Sequence, residues 1–181
     1  MSMILTPDTI ARTRSDKKLA KLLSAELCRL LGPGSPSDDE YDAFVLKLQS
    51  LPPGLHAMAA TYELDVSMAL DDLGWHFSNW HHVGFAHETL RGLQDLGSPE
   101  EAALFQQALQ IALAHWDFIG SSTFRDAYLH SPLEKALDPI NDRLWVCFGY
   151  HGNTGVALVD RWVPYARKHP DRVSVINNGT V

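Results

Sequence analysis

The side chains best suited to chemistry crowd into Gly74–Glu88, "GWHFSNWHHVGFAHE". These fifteen residues hold four of the chain's nine histidines and two of its five tryptophans. Imidazoles can ligate a metal or carry a proton. Helical metal sites need ligands at i and i+3 or i+4, because those positions share a face. His76 and His81 are five apart, as are His82 and His87, so neither pair shares a face of a straight helix. The His-Glu-x-x-His pattern is missing too, since His87-Glu88 runs on into Thr-Leu-Arg-Gly. A bend near Gly84 would be needed to bring His76, His81 and His87 together. A metal-dependent enzyme using His76, His81, His82 and His87 is therefore the alternative reading. The leading expectation is no metal, no cofactor and no catalytic residue.

Other catalytic patterns are weaker. Cys147 and His151 are four apart and could pair as thiol and base on one helix. Gly149 and Gly152 argue against that helix, and Cys147 lies in the apolar run Leu-Trp-Val-Cys-Phe. Gly-x-Ser-x-Gly, P-loop and Gly-x-Gly-x-x-Gly patterns do not occur. Glu100-Glu101 resembles a carboxylate pair, but Ser98-Pro99-Glu100-Glu101 reads as a helix start. It places a capping Ser, a Pro at the first helical position and a Glu three residues after the cap. Cys28 and Cys147 form no Cys-x-x-Cys and are expected to be buried free thiols.

Helical periodicity dominates the elements that must position these groups. Leu19, Leu22, Leu23, Leu27 and Leu30 make one stripe over Ser15–Leu31, stopped by Gly32-Pro33-Gly34. A second helix is expected over Asp38–Ser50 with Tyr41, Phe44, Val45 and Leu48 inward, and Leu51-Pro-Pro-Gly54 breaks the chain after it. A third is expected as one rod from His56 to about Trp80, with Val66, Ala69, Leu70, Leu73, Phe77 and Trp80 as its apolar stripe. Gly84 separates it from a fourth ending near Leu96-Gly97. The fifth repeats Phe105, Leu109, Ala112, Trp116 and Ile119 and stops at Gly120. A short helix over Thr123–His130 and two more, Pro132–Phe148 and Thr154–Lys168, complete the set, with Pro164 kinking or shortening the last. The expectation is one all-α domain of about seven helices over residues 1–181. A basic N-terminal helix occupies 1–34, the helical core 38–170 and a loose tail 171–181. The 66–80 and 101–119 segments supply the core.

On a wheel of about 100° per residue, Asp65, Asp72, His76 and Asn79 form a polar stripe beside the apolar one. Met68 and Trp75 then point roughly opposite the apolar stripe. Either other helices cover this one on both sides, or Met68 and Trp75 reach a partner. A homodimer seam through Met68 and Trp75, in a self-associating structural protein, is a further alternative.

Charge sharpens the choice of partner. The chain carries −7, distributed as +3 over residues 1–34, −10 over 35–105 and zero over 106–181. An acidic middle repels nucleic acid and attracts basic proteins. Its only basic stretch, Arg12-Thr-Arg-Ser-Asp-Lys-Lys18 with Lys21, is explained by a solvated helix start, so direct nucleic-acid binding is not expected. With 45% hydrophobic and 20% charged residues, the composition is that of a soluble domain. No apolar run approaches the roughly 20 residues of a membrane span, and the N-terminus lacks the order of a signal peptide. No membrane contact and a cytoplasmic location are expected.

Four segments carry a family resemblance: Leu70-Asp-Asp-Leu-Gly-Trp-His-Phe-Ser-Asn79, Leu90-Arg-Gly-Leu-Gln-Asp-Leu-Gly97, Glu101-Ala-Ala-Leu-Phe-Gln-Gln-Ala-Leu109 and Leu137-Asp-Pro-Ile-Asn-Asp-Arg-Leu144. Over residues 60–170 the chain resembles a family of small helical bacterial proteins of largely unknown function, whose named example is a DNA mimic. It departs from the family's usual Asn-Gly-Gly-Phe, with Asp72-Leu-Gly-Trp75 in that place. The resemblance implies an all-helical domain without catalysis, in which acidic side chains imitate DNA phosphates and occupy a DNA-binding regulator. The reading is a non-enzymatic, regulatory protein-binding module with an acidic central surface. The candidate partner-binding residues are Asp65, Asp71, Asp72, Trp75, His76 and Asn79.

Overall fold

The computed structural model describes residues 5–32, 36–152 and 154–174. Among them it is all-α. The eleven α-helices are α1 (Pro7–Arg12), α2 (Asp16–Leu31), α3 (Tyr41–Gln49), α4 (Pro53–Leu70), α5 (Leu73–Asn79), α6 (Val83–Asp95), α7 (Pro99–Ala114), α8 (Trp116–Ile119), α9 (Phe124–Ala127), α10 (Pro132–Cys147) and α11 (Trp162–Lys168). Eight of these have seven residues or more. Local chemistry explains most of the starts. Pro stands at or next to the first helical position of α1, α4, α7 and α10, where its missing N–H costs nothing. Ser15 and Ser131 cap α2 and α10 by accepting from the Lys18 and Glu134 amides.

The α4 helix is the central element. Its Leu64 and Met68 belong to one apolar cluster with Leu73, Phe77, Phe105, Leu109, Leu137 and Leu144, built from α5, α7 and α10. Its Leu55 and Met58 belong to a second, with Leu19, Leu23, Leu48, Phe85 and Trp162 from α2, α3, α6 and α11. Other helices therefore cover α4 on both sides. Gly92 lets α6 lie close, since a Cβ there would stand 3.0 Å from Thr61 Cγ2 and 3.2 Å from the Ala57 carbonyl.

Several expectations need correction. The rod expected from His56 to Trp80 is broken, because Asp71 and Asp72 are both extended and separate α4 from α5. A single wheel across 65–79 therefore fails: Leu70 of the expected apolar stripe is 81% exposed, while Met68 is 1% exposed, as the alternative of helices covering both sides requires. The next break falls at Trp80–His82, not at Gly84, which lies in the first turn of α6. His115 interrupts the fifth helix before Trp116. At the start of α7 the expected Ser98 cap is not made; Arg161 takes both Ser98 (2.8 Å) and Glu101 (2.7 Å) instead. The segment expected to be helical from Thr154 is helical only from Val159. Gly155 packs into the end of α10, where a Cβ would lie 2.0 Å from the Val146 carbonyl. Pro164 sits in the first turn of α11, which is shortened to Trp162–Lys168. Cys28 is exposed rather than buried. The expected loose tail is ordered at its start, where Pro170–Arg172 makes a turn of 3₁₀-helix and Val173 and Ser174 are buried. Its remainder, 175–181, lies outside the described residues. Among the described residues no helix is long and apolar enough to cross a membrane.

Candidate protein-binding face

The turn Asp71–Asp72 is where sequence and packing jointly make a surface. Two side chains of α10 hold it. Trp145 Nε1 donates to the Met68 carbonyl (2.9 Å) and the Asp71 carbonyl (3.2 Å), satisfying acceptors that the end of α4 leaves open. The amide of Leu73 donates to Asn141 Oδ1 at 3.1 Å. Asp72 then caps α5, its Oδ1 accepting from the Trp75 amide and from the Tyr128 hydroxyl, each at 3.1 Å. Gly74 is required for that approach: a Cβ there would lie 2.2 Å from the Tyr128 ring and hydroxyl.

The clamp leaves Asp71 exposed and Asp72 half-buried, with Glu134 and Asp138 of α10 beside Tyr128. Burial pushes the Asp71 carboxyl above its ordinary range. It does the same to Asp72, more than offsetting the hydrogen bonds from Trp75 and Tyr128 that favour the ion; the Asp71 charge pushes Asp72 further up. Burial, then the charges of Asp72, Glu134 and Asp138, hold the Tyr128 phenol protonated. Among the described residues, α10's ion pairs are Glu134 with His130 and Arg143 with Glu100, so Asp138 has none. Asp71, Asp72 and Asp138 thus have no ion-pair partner among the described residues, and the charges of Asp72 and Asp138 both act on Tyr128.

The six sequence-predicted residues divide. Asp71, Asp72 and Trp75 come together, Trp75 half-buried with its ring edge-on to Phe124 (5.5 Å) and Tyr128 (5.9 Å). Asn79 is exposed at the end of α5, its carbonyl accepting from Tyr41 at 3.4 Å. Asp65 and His76 are 4% and 1% exposed and present nothing to a partner. Asp65 Oδ1 accepts from the Leu158 amide at 2.7 Å and its carbonyl from Tyr150, tying down the segment after α10. His76 shares a proton with Ser67 at 3.0 Å, and burial lowers its pKa to about 3, against a hydrogen bond to the Glu63 backbone. Glu134 and Asp138 are missing from the sequence-predicted set. Their signal is the i, i+4 carboxylate spacing on a helix already expected at Pro132–Phe148.

The histidines do not converge. His81 stacks on Trp116 (4.4 Å) and bonds its carbonyl, over Gly120, where a Cβ would clash with the imidazole at 2.4 Å. His82 caps α6 through the Phe85 amide and meets Asp42 at 3.1 Å, while His87 is exposed. Among the described residues, no three His, Cys, Asp or Glu side chains form a group able to hold a metal ion.

These features define the class as an all-helical protein. The chain belongs to the DMP19-like protein family, whose pattern matches residues 49–169. That span runs from the end of α3 through α11 and contains Asp71, Asp72 and Asp138. It is the family, including a DNA-mimic protein, that the sequence resembles. No curated protein and no solved structure matches the chain.

Proposed function

We propose that the protein is a non-enzymatic, cytoplasmic binding module whose acidic face occupies a basic, DNA-binding protein partner. The observation that carries this reading is that Asp71, Asp72 and Asp138 have no ion-pair partner among the described residues, with the Asp72 carboxylate held by the Trp75 amide and the Tyr128 hydroxyl. Carboxylates held in this way can replace the polyanion that a basic protein meets on DNA. Glu134 and Asp138 are separated by about 6 Å along α10 at ~1.5 Å per residue. A DNA strand offers a phosphate every ~3.4 Å, so a single helical row is too sparse. The second row supplied by Asp71 and Asp72 brings the charge density closer to that of the duplex.

The test uses immobilised protein and clarified cytosol of the source cell. The wild type retains a basic DNA-binding protein that duplex DNA and added salt both release. Asp71→Asn/Asp138→Asn, which removes two exposed charges without touching the cap of α5, retains little of it. An identical set of retained proteins for that variant, or retention indifferent to duplex DNA, overturns the reading.

A further inference from the structure

A second surface lies further along α10. The start of α7, the C-terminal half of α10 and the segment Thr154–Pro164 enclose an open groove of about 880 Å³. That is within the roughly 300–1,000 Å³ typical of binding sites. Val146, Val156 and Pro164 line it, and Val146 and Val156 remain 47% and 48% exposed. Four carboxylates also line it, Glu100, Glu101, Asp142 and Asp160, against two guanidiniums. Both guanidiniums are already engaged. Arg143 pairs with Glu100 at 2.9 Å and Arg161 with Glu101 at 2.7 Å. Arg161 also donates to Ser98 and to the carbonyls of Cys147 and Val156. Asp142 and Asp160 have no ion-pair partner among the described residues, so the groove combines uncovered apolar surface with two unneutralised negative charges.

We propose that this groove seats a short extended segment of another protein, carrying an apolar side chain flanked by lysine or arginine. The apolar side chain covers Val146 and Val156, gaining the hydrophobic stabilisation those valines now forgo. The flanking cations meet Asp142 and Asp160. A small molecule fits less well, because pockets for small ligands bury most of the ligand surface and this one leaves its valines half-exposed. The groove shares no residue with Asp71, Asp72 and Asp138, and Asp142 stands one turn beyond Asp138 on α10.

Cys147 supplies the readout. Its thiol lines the groove and burial raises its pKa, whereas Cys28 is exposed on α2 and serves as the internal control. The probes are acetylated, amidated pentapeptides at millimolar concentration: Ala-Lys-Leu-Lys-Ala, Ala-Lys-Ser-Lys-Ala and Ala-Glu-Leu-Glu-Ala. Maleimide labelling of the full chain is followed by mass spectrometry. Ala-Lys-Leu-Lys-Ala slows labelling of Cys147 severalfold and leaves Cys28 unchanged; the other two do neither. Asp142→Asn/Asp160→Asn, at two exposed and unpaired positions, weakens the protecting peptide about tenfold, and Val146→Ser/Val156→Ser does the same. Asp71→Asn, at a residue that does not line the groove, leaves protection intact, so failure of the proposed function and failure of the groove are told apart. Equal protection by all three peptides overturns the proposal. So does protection by lysine amide or leucine amide alone, which would make this a small-molecule site.

Discussion

Glu63 offers the sharpest test of how the interior is balanced. Burial with no compensating partner pushes its carboxyl from 4.5 up to about 7. The carboxylate is thus less stable in the folded protein than in the unfolded chain. A raised acid pKa means that the folded state binds the extra proton between pH 4.5 and about 7, so stability falls as pH rises through that window. At about 1.36 kcal/mol per pH unit, the gap corresponds to ~3 kcal/mol. Solvent screening of this partly exposed group reduces the figure to about 1–2 kcal/mol. Glu63→Gln removes the charge and keeps the shape. We expect it to stabilise the protein by about 1–2 kcal/mol at pH 8 and to have no effect near pH 4, where both states are protonated. Urea unfolding followed by far-UV circular dichroism at pH 4, 6 and 8 measures this. His76 acts with the opposite sign: with its pKa held near 3, it disfavours the folded state as pH drops below 6.5. That contribution is common to both proteins and cancels in their difference. A Gln variant no more stable than wild type at pH 8, or equally more stable at all three pH values, refutes the reasoning.

Other substitutions follow from the same packing. Arg161→Met leaves Glu101, Ser98 and the carbonyls of Cys147 and Val156 without their donor, and should cost about 2–4 kcal/mol in urea unfolding. Gly74→Ala drives a methyl into Tyr128 and should cost about 1–3 kcal/mol, lowering the melting temperature by roughly 2–10 °C. Asp72→Ala removes the cap of α5 and should cost about 1 kcal/mol, whereas Asp72→Asn, an equally good cap, should cost little; paired thermal melts distinguish them.

Helix composition and most helix ends are legible in the chain because they are set locally. Pro99 and Pro132 mark real starts, and the heptad-like run from Phe105 is the core face of α7. The break at Asp71–Asp72 is not legible. Its cause is Trp145, which donates to the Met68 carbonyl, and Asn141, which accepts from the Leu73 amide, about seventy residues later; an isolated helix would have paired these groups internally. Angles on one wheel do not carry across the break from α4 to α5, and within α4 the expected stripe fails at Leu70, which is 81% exposed. Charge counted along the chain also misled in part. It drew attention to residues 35–105, yet Glu134 and Asp138 come from a third of the sequence with zero net charge. The histidine cluster shows the reverse: adjacent letters diverge, because α5 ends and α6 begins within it.

The buried Asp65 carboxylate, paired with the Leu158 amide across 93 residues, ties the middle of the chain to its end. Val173 likewise closes over Gly54. While the protein emerges from the ribosome, helices made earlier already pack on α4, but Asp65 and Gly54 gain these last partners only once residues 158–173 are synthesised.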